Sequence, residues 1–481
     1  MSIYDNTKWV ALSQFLKIFM QVVSLTVLTR LVSPHEYGLM AMATIIINFI
    51  TILRDLGTSA ALIQKKNLSQ ITKSSVFWLN VFLGTTLFFL IILMSNQIAV
   101  FFNEPELKNV LIILSFMFPV VCTGSSHQAL LERESKFRLI ALIEICGSFI
   151  GLFFAILCAY KGWGVYSLVL QVMVSSIFST CLLWIFHEWR PSLYVDIKEL
   201  KNIFKFSVNL TLFNLITFFS RNIDSALIGK FFNSNVLGAY SLAYRIMLFP
   251  LQNVTLVATR AIYPVLSKNQ DNPNILNDIF IKTLLVISSL TLPIVCGIVL
   301  LSEEFIYHLF GNKWNLAAII LTWLAPSGLI QSLSNSVGCF FAAKGRTDII
   351  MKLSVLSSVI IVVFIMIGIQ YNIIAITQFY LSANIINGLC VLYLTLKLLN
   401  CSVIKLIKSL TPPILCSVIL IMVLTSINYL YHGDTSLILF LFKILLGGGA
   451  YLISYRFLFG NILIDILPKK LHGLFVLRSI N

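Results

Sequence analysis

Charge is scarce in this chain. Of its 481 residues, 11% are Asp, Glu, Lys or Arg and 58% are hydrophobic. An ordinary soluble domain carries about 25% charged residues. A soluble fold of this length needs polar surface that such a composition lacks, so the alternative solvent is lipid. Other absences narrow the chemistry. The sequence has no GxxxxGK[ST] loop to cradle nucleotide phosphates and no Gly-x-Ser-x-Gly elbow to carry a nucleophile. Direct use of ATP and serine hydrolysis are therefore not expected. Asp and His do not cluster as an acid–base pair, and the polar loops are too short for the acidic motif of a membrane glycosyltransferase. No catalytic residue and no enzyme activity are expected. The nine cysteines include no Cys-x-x-Cys pair and the six histidines are scattered. Neither a disulfide framework nor a metal site nor any other cofactor is expected, and Cys122, Cys146, Cys158 and Cys296 read as small packing residues of apolar spans.

What is present are long apolar blocks. A helix crosses a bilayer with about 20 mainly apolar residues. Blocks meeting that length lie at 9–32, 38–63, 75–102, 107–130, 139–160, 164–186, 202–229, 236–265, 279–301, 316–341, 349–370, 373–396, 409–430 and 435–458. Their length and lack of strict alternation predict helices, not barrel strands. The fold class expected is an all-α polytopic membrane protein with about fourteen spans. The first block runs past Val27 without a small-residue cleavage pattern, which predicts a retained helix in place of a signal peptide.

The net charge of +15 comes from 34 basic and 19 acidic residues. Its placement argues for orientation and against nucleic acid as a partner. With a cytoplasmic N-terminus and alternating spans, the inner connections hold clusters such as Arg133, Lys136 and Arg138, or Arg190, Lys198, Lys201 and Lys205. Outer connections hold few cations and carry Glu104, Glu106, Glu303 and Glu304. This is the positive-inside pattern, and it predicts both termini in the cytoplasm. The longest polar connection, 187–201, reads as a cytoplasmic linker between two halves.

Those halves resemble each other at an offset of 200 residues. LTRLVSPHEYGLMAMA at 28–43 matches IGKFFNSNVLGAYSLA at 228–243, with Arg30 on Lys230, Gly38 on Gly238 and Ala43 on Ala243. A second pair, 101–119 and 309–326, places Pro119 and Pro326 alike. A six-span repeat returns the chain to the same side, so the halves are parallel. The expected organisation is a six-helix lobe at 1–186, the linker at 187–201, a second lobe at 202–400, and two further helices with a tail at 401–481.

Charge inside the membrane is costly and usually functional. Gln14, Lys17, Gln21 and Ser24 recur on one helix face, and Asn214, Thr217, Arg221 and Asp224 hold the same places 200 residues later. Thr44, Asn48, Thr51, Asp55 and Thr58 line the second span, with Arg54 beside them, and Ser241, Arg245, Gln252, Thr255 and Thr259 line the eighth. Arg260 lies near the inner end of the eighth span and Glu144 in the fifth. Turned together, these stripes predict a hydrated cationic cavity of Lys17, Arg54, Arg221, Arg245 and Arg260 against Asp55, Glu144 and Asp224. Such a cavity suits an anion, and arginine suits phosphate because its planar fork donates paired hydrogen bonds. The three acids are candidates for ion coupling. The structural alternatives are snorkelling for Lys17, a headgroup position for Arg260, and ion pairs of Arg54 with Asp55 and of Arg221 with Asp224. The helix-interior prolines read as hinges or as tolerated kinks.

Several segments carry a family resemblance. TRLVSPHEYGLMAMA, RDLGTSAALIQK, QALLERESKFR, RNIDSALIGKFFNSNVLGAYSLAYRI, RAIYPVLSKNQDN and FGNKWNLAA resemble the polysaccharide flippases of bacterial envelopes. The likeness is strongest to the colanic-acid and O-antigen type, the WzxC-like group, and runs from about residue 5 to residue 400. The resemblance implies the multidrug/oligosaccharidyl-lipid/polysaccharide exporter fold: two six-helix lobes in a V plus two C-terminal helices. It implies a bacterial inner-membrane protein that moves undecaprenyl-diphosphate-linked oligosaccharide by alternating access, driven by a proton or sodium gradient. It brings the lipid bilayer, a polysaccharide polymerase and chain-length proteins as partners. A multidrug exporter or a peptidoglycan-precursor flippase of the same fold stays open as an alternative, as does a purely structural membrane scaffold.

Overall fold

In a computed structural model the chain is built from helices. The structure describes residues 3–55, 58–64, 68–251, 255–270, 272–431 and 436–466; side chains at 3–13, 198–199, 201–213, 256–258 and 460–466, and at some other positions including Asp55 and Arg260, fall outside that description. The chain divides into two compact units, residues 1–241 and 242–481.

The first unit begins with α1 (Ile3–Leu31), α2 (Pro34–Asp55) and α3 (Thr58–Gln64). It continues with α4 (Gln70–Phe102), α5 (Glu106–Ser115), α6 (Met117–Arg133), α7 (Phe137–Tyr160), α8 (Val165–Phe186) and α9 (Ile197–Phe231), and takes in the start of α10 (Ser234–Pro250). The second unit holds the rest of α10, then α11 (Leu256–Lys268), α12 (Pro273–Leu300), α13 (Ser302–Phe310) and α14 (Asn315–Ala343). It closes with α15 (Thr347–Ile369), α16 (Ile373–Leu399), α17 (Val403–Leu430) and α18 (Leu437–Ile466).

Twelve stretches of the described residues are long and apolar enough to cross a membrane. The two other expected spans, 202–229 and 236–265, fall on α9 and on α10 with α11, where undescribed residues intervene. The expected fourth span is one stretch, 106–133, with a local interruption in its helix. Pro119 has no N–H to offer the Ser115 carbonyl, and the helix is interrupted at Phe116.

The repeat is visible in local structure. Helices α1 and α9 end at Leu31 and Phe231, and α2 and α10 start at Pro34 and Ser234. At the first turn Ser33 donates through its N–H and hydroxyl to Glu36, both at 2.7 Å, a capping box that starts α2. The start of α10 is held differently: the Ser234 N–H donates to the Glu104 carboxylate at 3.0 Å.

Small residues set the closest helix contacts. Lipid gives no hydrophobic drive to helix pairing, so packing and hydrogen bonds must supply it. Gly147 and Gly151 of α7 form a small-xxx-small stripe against α8, where added Cβ atoms would stand 2.1 Å from the Ser179 hydroxyl and 2.6 Å from the Gln171 carbonyl. In the second unit, Phe280 packs edge-on against Phe340 at 5.5 Å within a core that also takes in Leu284, Phe341 and Leu399. The last two helices dock on α12. Tyr451 donates to the Ser289 carbonyl at 2.8 Å, the Tyr455 hydroxyl lies 3.0 Å from that of Ser289, and Lys443 reaches Glu304 of α13 at 2.5 Å.

Candidate functional site

Helix geometry decides which of the expected polar residues meet. Lys17 of α1 forms an ion pair with Glu144 of α7, each side chain partly open to its surroundings. Two steps along the same stripe, Ser24 accepts from Gln171 of α8 at 2.9 Å. Lys17 is thus locally neutralised, and two residues expected to serve anion binding and ion coupling separately share one contact.

On α9 the outcome differs from the simple pairing of neighbours. Asp224 is 3% exposed, and its two oxygens accept from the Tyr240 hydroxyl at 2.8 Å and the Ser225 N–H at 2.7 Å. Arg221, one helical turn earlier, is exposed, and among the described residues it makes no ion pair with Asp224. The expected alternative of an Arg221–Asp224 pair is corrected accordingly: the buried carboxylate is solvated by donors across the α9–α10 hairpin. Phe49 of α2 packs on Phe218 and Phe219 of α9 at 5.9 and 5.5 Å, so the helices bearing Arg54 and Arg221 are neighbours within the first unit. Arg54 is partly buried there. Arg245 is exposed and belongs to the second unit. The side chains of Asp55 and Arg260 lie outside the described residues.

The sequence carries a signal for Tyr240 as the partner of Asp224. Asp224 stands seven residues before the end of α9 and Tyr240 six after the start of α10, which puts them level in an antiparallel hairpin. It carries one for Lys443 as well. A lone lysine in an apolar span demands a partner, and Glu304 supplies it.

Helix α2 meets α10 reciprocally in the first unit. A Cβ on Gly38 would fall 1.8 Å from the Ser234 carbonyl oxygen, and one on Gly238 would fall 2.0 Å from that of Pro34. Each contact is the other shifted by 200 residues. Beside it, Lys230 donates to the Phe101 carbonyl at 2.6 Å.

Comparison with known proteins places this architecture. A family model described as polysaccharide biosynthesis protein matches residues 27–319, more than half of the chain. The chain belongs to the polysaccharide biosynthesis protein family. Among relatives of this family member is the lipopolysaccharide biosynthesis protein WzxC of Escherichia coli, 28% identical over 82% of this chain and 80% of that one. Another is the teichuronic acid biosynthesis protein TuaB of Bacillus subtilis, 28% identical over 72% of each. Among solved structures, the lipid II flippase MurJ in an inward closed conformation superposes with a TM-score of 0.76 at 17% identity, covering 94% of this chain and 100% of that one. An inward-facing MATE-family multidrug transporter of the MOP superfamily gives 0.62 at 15% identity over 79% and 94%. The family member therefore shares the fold of these two structures. It is a multi-pass membrane protein, with twelve stretches of its described residues long and apolar enough to cross a bilayer.

Proposed function

We propose that this protein is a flippase for a lipid-linked polysaccharide repeat unit, carried on undecaprenyl diphosphate in the bacterial inner membrane. The observation that supports it is a polar helix face bearing one cation, Lys17 or Arg221, in each copy and repeated at an offset of 200 residues, on a member of a polysaccharide biosynthesis family. The diphosphate is assigned to Lys17, Arg54, Arg221, Arg245 and Arg260, whose charge is opposite to its own. The isoprenoid tail stays in the bilayer while the sugars cross in water by alternating access.

Coupling to a proton or sodium gradient is assigned to Asp55, Glu144 and Asp224. Glu144 has the most direct route. An anionic substrate competes with Glu144 for Lys17, so substrate binding and the state of Glu144 share one contact. The test is reconstitution of purified protein in proteoliposomes holding fluorescent undecaprenyl-diphosphate oligosaccharide, with flipping read by access of an external glycosidase. Wild-type protein is expected to flip the lipid, faster under an imposed gradient, and to leave a lipid-linked disaccharide-pentapeptide untouched. Absence of flipping sinks the function. Asp55→Asn, Glu144→Gln and Asp224→Asn are expected to include at least one variant whose flipping ignores the gradient; three wild-type responses remove the coupling assignment.

Both termini are placed in the cytoplasm on the charge pattern of the connections. In a cysteine-free background, single cysteines at Glu106 and Glu303 are expected to react with an impermeant maleimide on intact cells, and cysteines at Lys136 and Lys198 only after lysis. Labelling of Lys136→Cys from outside inverts the topology.

A further inference from the structure

The connection 187–196 is a strap and not a loose tether. It runs along one face of α4, where Gln70, Ser74, Ser75 and Trp78 receive it. Gln70 donates to the Arg190 carbonyl at 2.8 Å and accepts from the Trp189 indole at 2.7 Å. Ser74 accepts the Ser192 N–H at 2.9 Å, Trp78 donates to the Ser192 carbonyl at 2.8 Å, and Ser75 accepts the Asp196 N–H at 2.8 Å. Arg190 folds back on the strap, donating to the carbonyls of Trp184, His187 and Trp189. The strap leads straight into α9, the helix that carries Arg221 and Asp224.

Its root is His187, 6% exposed, packed with His127 at 5.6 Å between ring centroids. His127 in turn lies against Trp184 and Trp189 at 4.5 and 5.2 Å. The Trp189 N–H donates to Nδ1 of His187 at 3.1 Å, so this imidazole is neutral with its proton on Nε2. His127 is fully buried and donates through Nδ1 to the Thr123 carbonyl at 3.1 Å. Neither Nε2 has a hydrogen-bond partner among the described residues. The Glu134 carboxylate lies 3.7 Å from Nε2 of His187 and is itself paired with Lys136 at 2.7 Å.

We propose that His187 is a proton-operated latch on this strap: neutral, it accepts the Trp189 N–H and holds the strap on α4; protonated, it cannot accept that bond, and the strap lets go. The surrounding charges set the direction. Glu134 favours an imidazolium, but Lys73, Lys136 and Arg190 face the same ring and oppose it. Burial pushes the His187 pKa down from its ordinary value, the three cations add to that, and Glu134 offsets part of it. A group held neutral in the closed state stabilises that state above its free pKa. The hold is therefore full above about pH 6.5 and weakens as pH falls below it. Glu134 stays ionised through this window, since Lys136 holds its carboxyl below the usual range.

The test is amide hydrogen exchange of the purified full chain in nanodiscs, expressed as protection relative to the unstructured rate at each pH. Between pH 7.5 and 5.0, protection across 187–196 is expected to fall by up to roughly tenfold per pH unit below about 6.5, one proton's worth. His187→Asn keeps an acceptor oxygen for the Trp189 N–H and cannot titrate, so protection is expected to stay high and flat. Glu134→Gln removes the one anion favouring the imidazolium in the closed state, so the fall is expected to begin at the same pH and to continue to lower pH, with a larger total loss. Protection that is independent of pH in the wild type overturns the latch, as does a total loss in Glu134→Gln that is no larger than in the wild type. A wild-type pH response in His187→Asn assigns the titration to another group and overturns it too. The readout is independent of transport, so failure here leaves the flippase reading standing.

Discussion

Replacing Arg221 and Arg245 together with alanine is expected to bring surface-polysaccharide output down to the level of cells lacking the protein. Charged side chains within the bilayer cost about 2.5–3.5 kcal/mol each on insertion scales, so they persist where something offsets that cost. For Arg221 the adjacent carboxylate is no such offset, because the Asp224 oxygens are taken by Tyr240 and Ser225. An anionic substrate is the partner that the proposed function supplies. Losing a charge-assisted hydrogen-bonded contact costs about 2–3 kcal/mol, roughly 30–150-fold in affinity for each arginine. Lysine at either position keeps the charge and loses the planar fork, so Arg221→Lys and Arg245→Lys are expected to fall between wild type and alanine. The measurement is polysaccharide output at matched membrane levels, with binding of undecaprenyl-diphosphate oligosaccharide to purified protein alongside. Normal output and binding in the double alanine variant remove the site assignment.

Alanine at Gly38 or Gly238 is expected to cost more stability than any other single methyl added at a glycine in the first unit. In both places the new carbon would land about 2 Å from a backbone carbonyl oxygen of the facing helix, and a backbone atom yields only if a helix moves. Overpacking costs typically about 1–3 kcal/mol and occasionally more; a clash against backbone belongs at the upper end. Because the two glycines sit in one reciprocal contact, the double variant is expected to lose less than the sum of the singles. Gly448 and Gly449 in α18 provide the control, since nothing lies within 4 Å of a Cβ there. Alanine at those positions is expected to be neutral or to stabilise slightly through helix propensity. Thermal melting of detergent-purified protein distinguishes these outcomes; a Gly38→Ala variant that melts like Gly448→Ala shows that the α2–α10 contact is looser than the structure has it.

The sequence by itself determined the solvent, the fold class and the repeat. Hydropathy is a local and contiguous property, so the apolar blocks could be read without knowing what each helix touches. The offset of 200 residues set Gly38 beside Gly238 in an alignment, and the polar stripes of α1 and α9 followed from helical spacing alone. Only the tertiary structure decided who meets whom. Lys17 and Glu144 are 127 residues apart, Lys443 and Glu304 are 139 apart, and the strap joins α4 across more than 110. Such pairings depend on the axial register and rotation of packed helices, which no periodicity within one helix encodes. The same holds for Asp224. Its neighbour three residues away is the obvious partner on a helical wheel, but the hairpin turns Asp224 inward to Tyr240 and leaves Arg221 exposed. The two glycines aligned by the repeat are pressed against each other's helices for the same reason: the repeat records a symmetry of sequence, and packing turned that symmetry into a contact.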